Sequence, residues 1–275
     1  FKGLLENCVK VKNVDLIDDY SMVLVEKVRK ATNMERPLEG SKIIVDAGNG
    51  AGGFFATKVL QSLGANTEGS QFLDPDGTFP NHIPNPENNE AMESIKNAVL
   101  KSQADLGIIF DTDVDRAAIV SKDGEEINKN ALIALISAIL IDGDKGTTIV
   151  TDSITSTGLT EFITSLNGVH HRFKRGYKNV INEAKRLNAE DIDCPLAIET
   201  SGHAALRENY FLDDGAYLVV KILIEMARLK KENKDISDLI KDLKHPLESS
   251  ERRIKINCED FRNYGEALIE DLKGY

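Results

Sequence analysis

Asp111, Asp113 and Asp115 lie at alternate positions in Gly107–Val120, which reads GIIFDTDVDRAAIV, and Arg116 follows them at once. Alternate residues of an extended segment point to one side, so the three carboxylates can converge. Carboxylates packed that closely repel one another unless they share a cation. A donor set made only of oxygens suits a hard ion, which puts Mg²⁺ first, then Mn²⁺ or Ca²⁺. The plainer reading of the same residues is a solvated acidic turn between strands.

Two rival loops can be tested by counting. An EF-hand loop starting at Asp111 needs Gly at its sixth position and Glu at its twelfth, and those positions hold Arg116 and Lys122. A haloacid-dehalogenase-type site wants an apolar strand and then Asp-x-Asp-x-Thr/Val. The strand, Asp111 and Asp113 are present, but Asp115 holds the fifth position. In that alternative Asp111 is the covalent nucleophile of a phosphatase or phosphotransferase. A third reading is a sugar-phosphate binding module without catalysis.

Two more clusters carry chemistry. Lys174, Arg175 and Lys178 stand in FKRGYK at 173–178, preceded by His170, His171 and Arg172, the one basic cluster of an acidic chain. At a turn into a helix they can hold a phosphate through charge and backbone N–H groups together. Glu199, Ser201 and His203 stand in ETSGH, where a carboxylate and a hydroxyl two residues apart can take adjacent sugar hydroxyls. His203 fits a packed loop histidine equally well. Gly48, Gly50 and Gly53 in DAGNGAGG match the spacing of a dinucleotide fingerprint. No acidic residue closes a second strand about 20 residues on, so the glycines read as a tight turn.

The elements that must place these residues follow from periodicity. Ile108–Phe110 and Ala117–Val120 are short β-branched runs, which read as buried strands on either side of the acidic loop. Asp18–Ala31 has an amphipathic pattern, Lys42–Val45 reads as a strand, and Phe54–Leu63 and Asn88–Lys101 read as helices. Asn130–Ile141 is a buried helix, too short to cross a bilayer. After Gly143 the order repeats: strand Thr147–Val150, helix Leu159–Leu166, strand Val169–Phe173, helix Tyr177–Leu187 and strand Leu196–Ile198. Asp214 then caps a helix running to about Arg228. Asp46 and Asp152 end equivalent strands, and the Asp111 and Glu199 loops fall in equivalent places. A closing helix over Ile236–Leu243, a strand over Arg252–Ile256 and a helix over Asn263–Leu272 complete the reading. The division is a lead-in at 1–37, α/β domains at 38–143 and 144–244, and the start of a further domain at 245–275.

At 275 residues the chain can bury two ordinary cores, and 41% hydrophobic with 29% charged residues describes a globular protein. A net charge of −11 argues against a nucleic-acid partner, and no apolar run suits a membrane. Cys8, Cys194 and Cys258 are too scattered for a zinc site or disulfide framework and fit a reducing cytoplasm. Phe1 opens the sequence without an initiator Met, which reads as a fragment.

Together, DAGNGAGG at 46–53, PDGTFPNHIPNPE at 75–87, DTDVDR at 111–116, Gly176-Tyr-Lys178, ETSGH at 199–203 and Asp213-Asp-Gly215 resemble the two middle domains of the α-D-phosphohexomutases, the phosphoglucomutase and phosphomannomutase family. The resemblance implies two related three-layer α/β/α domains with mixed sheets. It also implies an isomerase that interconverts hexose 1-phosphate and hexose 6-phosphate through a phosphoserine enzyme, with a hexose 1,6-bisphosphate as activator. Asp111, Asp113 and Asp115 would bind Mg²⁺ and Arg116 would attend the catalytic serine. Glu199, Ser201 and His203 would grip the sugar, and Lys174, Arg175 and Lys178 would meet the phosphate. Thr112 and Val114 stand where the family usually has small residues. The family's Ser-His-Asn-Pro string is absent from the sequence, as is the Arg/Ser/Thr phosphate clamp of its last domain. The resemblance therefore implies that the first and fourth domains are missing partners and that the chain alone is inactive.

Overall fold

Among the described residues six of the eight strands are buried along their whole length, so most of them read as short apolar runs without polar alternation. The computed structural model describes residues 14–141, 146–248 and 255–274. It divides into two compact units, Phe1–His245 and Pro246–Tyr275. The first unit holds two four-stranded sheets. In one, β1 (Ile43–Asp46), β2 (Leu106–Phe110), β3 (Ala117–Ser121) and β4 (Glu126–Ile127) lie in that order. In the other, β5 (Thr148–Asp152) lies between β6 (Val169–Phe173) and β7 (Leu196–Ile198), with β8 (Ala204–Leu206) beyond β7.

Both sheets are mixed, and they share a plan. β1 runs parallel to β2 and β2 antiparallel to β3, just as β5 runs parallel to β7 and β7 antiparallel to β8. The parallel partner β6 on the far side of β5 has a weaker counterpart beside β1. There Asn66 and Gln71 make isolated parallel bridges to Lys42 and Asp46. The β2–β3 and β7–β8 loops are therefore equivalent, and they carry Asp111–Arg116 and Glu199–His203.

The helices complete three layers by the period-2 rule of strands. Ile44 of β1 and Ile109 of β2 face α2 (Asn89–Ser102), packing on Met92, Ile95 and Val99. Their neighbours Ile43, Val45, Ile108 and Phe110 face the opposite way, into a cluster with α1 (Leu16–Thr32) and a π-helix at Phe55–Leu60. In the second sheet Val150 and Ala197 face α5 (Tyr177–Ala189). Ile149, Leu196 and Ile198 join the first cluster, which also takes in α3 (Asn130–Leu140), α4 (Thr157–Ser165) and α6 (Gly215–Lys231). One apolar core thus runs between the two sheets.

Side chains start most helices, by filling N–H groups that have no partner inside the helix. Asn88 caps α2, Ser156 caps α4 and Asp214 caps α6. The expected helix at Phe54–Leu63 is mostly a π-turn, with Gln61 N–H donating to the carbonyl of Ala56. The expected closing helix at Ile236–Leu243 is a five-residue 3₁₀ turn, Ile236–Ile240, stopped early after a capping box between Asp235 and Asp238. Among the described residues of the second unit there is one helix, α7 (Phe261–Leu272), and none of its residues is buried. The strand expected at Arg252–Ile256 begins outside the described residues, and Lys255 and Ile256 form none. Among the described residues no helix is long and apolar enough to cross a membrane.

Candidate active site

The acidic loop folds back on itself through Arg116. Asp111 Oδ1 accepts from the Arg116 backbone N–H at 3.1 Å and Oδ2 from Arg116 Nε at 2.9 Å, while the Asp111 N–H donates to the Arg116 carbonyl at 3.2 Å. This closes the turn between β2 and β3. One carboxylate oxygen each from Asp111, Asp113 and Asp115 then lies within 4.8 Å of the others. Asp111 is buried, Asp113 exposed and Asp115 between the two. Burial first, then the charges of Asp111 and Asp113, pushes the Asp115 carboxyl up to about 7, while His203 opposes the shift. Asp115 Oδ1 is itself buried and makes no hydrogen bond, with Arg116 Nε 3.7 Å away. An all-oxygen set with an unsatisfied buried oxygen and mutual repulsion fits a hard divalent cation.

Val114 takes φ 71°, which costs a β-branched residue on the order of 1–3 kcal/mol. The reason lies across the seam between the sheets. The Gly215 N–H at the start of α6 donates to the Val114 carbonyl at 3.0 Å. A Cβ on Gly215 would sit 2.8 Å from the Arg116 carbonyl carbon, so only glycine lets the two segments meet. The β2–β3 and β7–β8 loops touch directly, through an isolated antiparallel bridge between Arg116 and His203.

His203 Nδ1 lies 2.8 Å from Asp213 Oδ2 and 3.6 Å from Asp115 Oδ2, and its ring stacks on Tyr177 at 5.2 Å. Burial disfavours its charged form, but Asp213 and then Asp115 outweigh that and hold its pKa above the ordinary value. Glu199 is buried, and its Oε1 accepts from the Gly176 N–H at 2.6 Å. That contact ties the ETSGH loop to the turn before α5. Desolvation raises the Glu199 pKa, with the Gly176 hydrogen bond opposing it. Ser201 Oγ is buried and makes no hydrogen bond.

The structure thus brings together Asp111, Asp113, Asp115, Arg116, Glu199, Ser201 and His203. Of the three basic side chains of that turn, Arg175 approaches them through Glu87: Arg175 Nη2 lies 3.9 Å from Glu87 Oε1, and Glu87 Oε2 lies 4.0 Å from Arg116 Nη1. Lys174 and Lys178 are exposed, Lys174 lying over the Phe173 ring at 5.7 Å. A cleft of about 560 Å³ lined by Ser41, Asp105, Lys122 and Lys230 includes none of the residues of the acidic loop, the ETSGH loop or the basic turn.

Two family models account for most of this chain, "Phosphoglucomutase/phosphomannomutase, alpha/beta/alpha domain II" over residues 18–124 and "domain III" over residues 128–246. The chain belongs to the phosphoglucomutase/phosphomannomutase family. A phosphomannomutase/phosphoglucomutase of Pseudomonas syringae pv. tomato is 30% identical over 264 residues, which covers 96% of this chain and 53% of that protein. A phosphoglucomutase/phosphomannomutase family protein from Burkholderia thailandensis superposes with a TM-score of 0.70 at 29% identity, over 85% of this chain and 48% of that one. A more distant Aspergillus fumigatus N-acetylphosphoglucosamine mutase, solved with GlcNAc-6P and magnesium, shares the fold at TM-score 0.56 and 14% identity, over 82% of this chain and 53% of that one. The chain spans about half the length of the proteins it matches.

Membership does not favour the phosphatase alternative, and neither does Asp111. Both of its oxygens accept from Arg116 in a buried turn, which suits a held ligand better than an attacking nucleophile. Sequence reading missed Asn85 and Glu87, which sit beside Arg116, and Asp213, which pairs with His203. PNPE and DDG were read only as parts of matching strings. Their signal was the density of Asn, Asp and Pro in loops that open on a strand end.

Proposed function

We propose that this chain carries the metal-binding and sugar-binding domains of a mutase that interconverts hexose 1-phosphate and hexose 6-phosphate. The observation that carries the reading is the junction of the Asp111–Arg116 and Glu199–His203 loops across the two sheets. Asp111, Asp113 and Asp115 would hold Mg²⁺, whose charge offsets that of a moving phosphoryl group. Arg116, fixed by Asp111 and Asn85, presents its remaining guanidinium N–H groups to a phosphate. Glu199 Oε2 and Ser201 Oγ accept from and donate to sugar hydroxyls, while Gly176 keeps Oε1 in place. His203, its pKa raised by Asp213 against burial, adds a donor at the seam. Arg175, with Lys174 and Lys178 around it, supplies positive charge at the start of α5.

The division at 38–143 and 144–244 is supported by one four-stranded sheet falling in each part. The phosphoryl-carrying serine and a second phosphate clamp would come from sequence beyond these residues, a reading supported by the half-length match to relatives. The free Cys194 and Cys258 suit a reducing cytoplasm. The test is to offer the chain glucose 1-phosphate, glucose 1,6-bisphosphate and Mg²⁺. Glucose 1-phosphate should bind in equilibrium dialysis and no glucose 6-phosphate should form. Product above an Asp113→Ala control would mean that the chain holds its own phosphoryl carrier. Absence of binding at millimolar substrate would refute the sugar site.

A further inference from the structure

Apart from Asn85 and Glu87, two motifs are left over by that site, DAGNGAGG at 46–53 and PDGTFPNHIPNPE at 75–87, and the structure locks them together. Asp46, at the end of β1, is fully buried, and His82 from the second motif is 6% exposed. His82 Nε2 lies 3.0 and 3.1 Å from the two Asp46 oxygens, and Nδ1 lies 3.1 Å from the Ile83 carbonyl. Both ring nitrogens face acceptors, so the doubly protonated ring satisfies both. The remaining capacity of Asp46 is filled by Gln71 Nε2 at 2.7 Å, Ser94 Oγ at 3.1 Å and the Gly48 N–H at 2.9 Å. Gly48, at φ 51°, has no room for a side chain: a Cβ there would meet Pro84 at 2.8 Å and His82 at 3.0 Å.

From this lock two paths reach the acidic loop. The glycine turn continues to Ala51, whose N–H donates to the Thr112 carbonyl at 2.9 Å, between Asp111 and Asp113. The proline-rich loop continues to Asn85, whose Oδ1 accepts from Arg116 Nη1 at 3.2 Å. The other side-chain ties here, from Asn49 to the Asp74 carbonyl just before the second motif and from Asn81 to Asn49, are exposed and compete with water. A buried charge-assisted bond outweighs such bonds.

We propose that His82, through Asp46, is a positioning residue that sets both the Thr112 turn of the acidic loop and the side chain of Arg116. The inference rests on reading Asp111, Asp113 and Asp115 as a magnesium site. Outer partners of metal ligands commonly change affinity by about 10–100-fold when removed.

The experiment measures Mg²⁺ affinity by calorimetry and amide hydrogen exchange at Ala51 and Ile108 in the wild type, His82→Leu and His82→Gln. In His82→Leu, Mg²⁺ affinity should fall about tenfold or more, and Ala51 should lose protection while Ile108 in β2 keeps its own. Gln can still donate to Asp46, so His82→Gln should recover most of both losses. Wild-type affinity and Ala51 protection in His82→Leu would overturn the proposal, and so would failure of His82→Gln to recover either. If the wild type binds no Mg²⁺, the magnesium reading fails by itself. The Ala51 comparison, made without metal, then decides whether the latch exists. Should His82→Leu lose Ile108 protection, the near-isosteric Asp46→Asn takes its place with the same two readouts.

Discussion

Asp113 is the exposed member of the acidic trio, so it can be removed at little structural cost, whereas Asp111 closes the turn itself. Asp113→Ala should weaken Mg²⁺ binding about tenfold or more by calorimetric titration. Surface substitutions away from buried features cost about 0.5 kcal/mol or less, so its melting temperature should hold. Unchanged Mg²⁺ affinity would place the ion elsewhere. Glu199 differs, because it is buried and accepts from Gly176. Glu199→Gln keeps an acceptor for that N–H and removes only the charge. It should leave the fold intact while glucose 1-phosphate binding falls by about 1.5–3 kcal/mol, the worth of a charged hydrogen bond. Retained binding in a folded variant would remove Glu199 from the sugar site. The types and spacing of Asp111, Asp113, Asp115, Glu199 and Ser201 were legible in the sequence because each set lies within one loop. The burial of Glu199 was not, because it depends on Gly176, 23 residues away on another turn.

At the scale of elements, the strands could be read because their apolar runs are short, β-branched and bounded by turn residues. The π-turn at Phe55–Leu60 could not be read, since apolar periodicity shows a buried face but not which carbonyl accepts each N–H. The glycine turn before it has a steric reason visible only in three dimensions. A Cβ on Gly50 would stand 2.7 Å from the Thr112 carbonyl oxygen. Gly50→Ala should therefore destabilise by about 1–3 kcal/mol, the usual cost of overpacking, measured by urea unfolding. An unchanged midpoint would show that the turn has slack.

The His82 latch also has a pH signature. Hydrogen bonding to Asp46 raises the His82 pKa above its ordinary 6.5 against the cost of burial, with the Asp46 charge, the Ile83 carbonyl and Glu90 adding to the rise. A raised folded-state pKa stabilises fully below the unfolded value and is lost as pH rises through the folded value. The melting temperature of the wild type relative to His82→Gln should fall as pH rises from below 6.5 into the alkaline range. A flat or rising difference would contradict the charged latch.

For the whole molecule, the paired plan of the two sheets was foreshadowed by matching Asp46 with Asp152 and the Asp111 loop with the Glu199 loop. The meeting of those loops was not foreshadowed. It depends on Gly202 and Gly215 letting backbones approach: a Cβ on Gly202 would sit 3.1 Å from the Ala117 carbonyl oxygen. Glycines in a sequence do not say what they approach. On the proposed reading the junction would make one site from two domains, and calorimetric titration of glucose 1-phosphate into the chain with saturating Mg²⁺ tests it most directly. Arg116→Gln on one side and Glu199→Gln on the other should each weaken binding about tenfold or more, about 1.4 kcal/mol. The double variant should lose less than the sum of the two, as neighbours sharing one ligand do. Binding that survives both substitutions, or losses that simply add, would mean that the two loops do not act on one substrate.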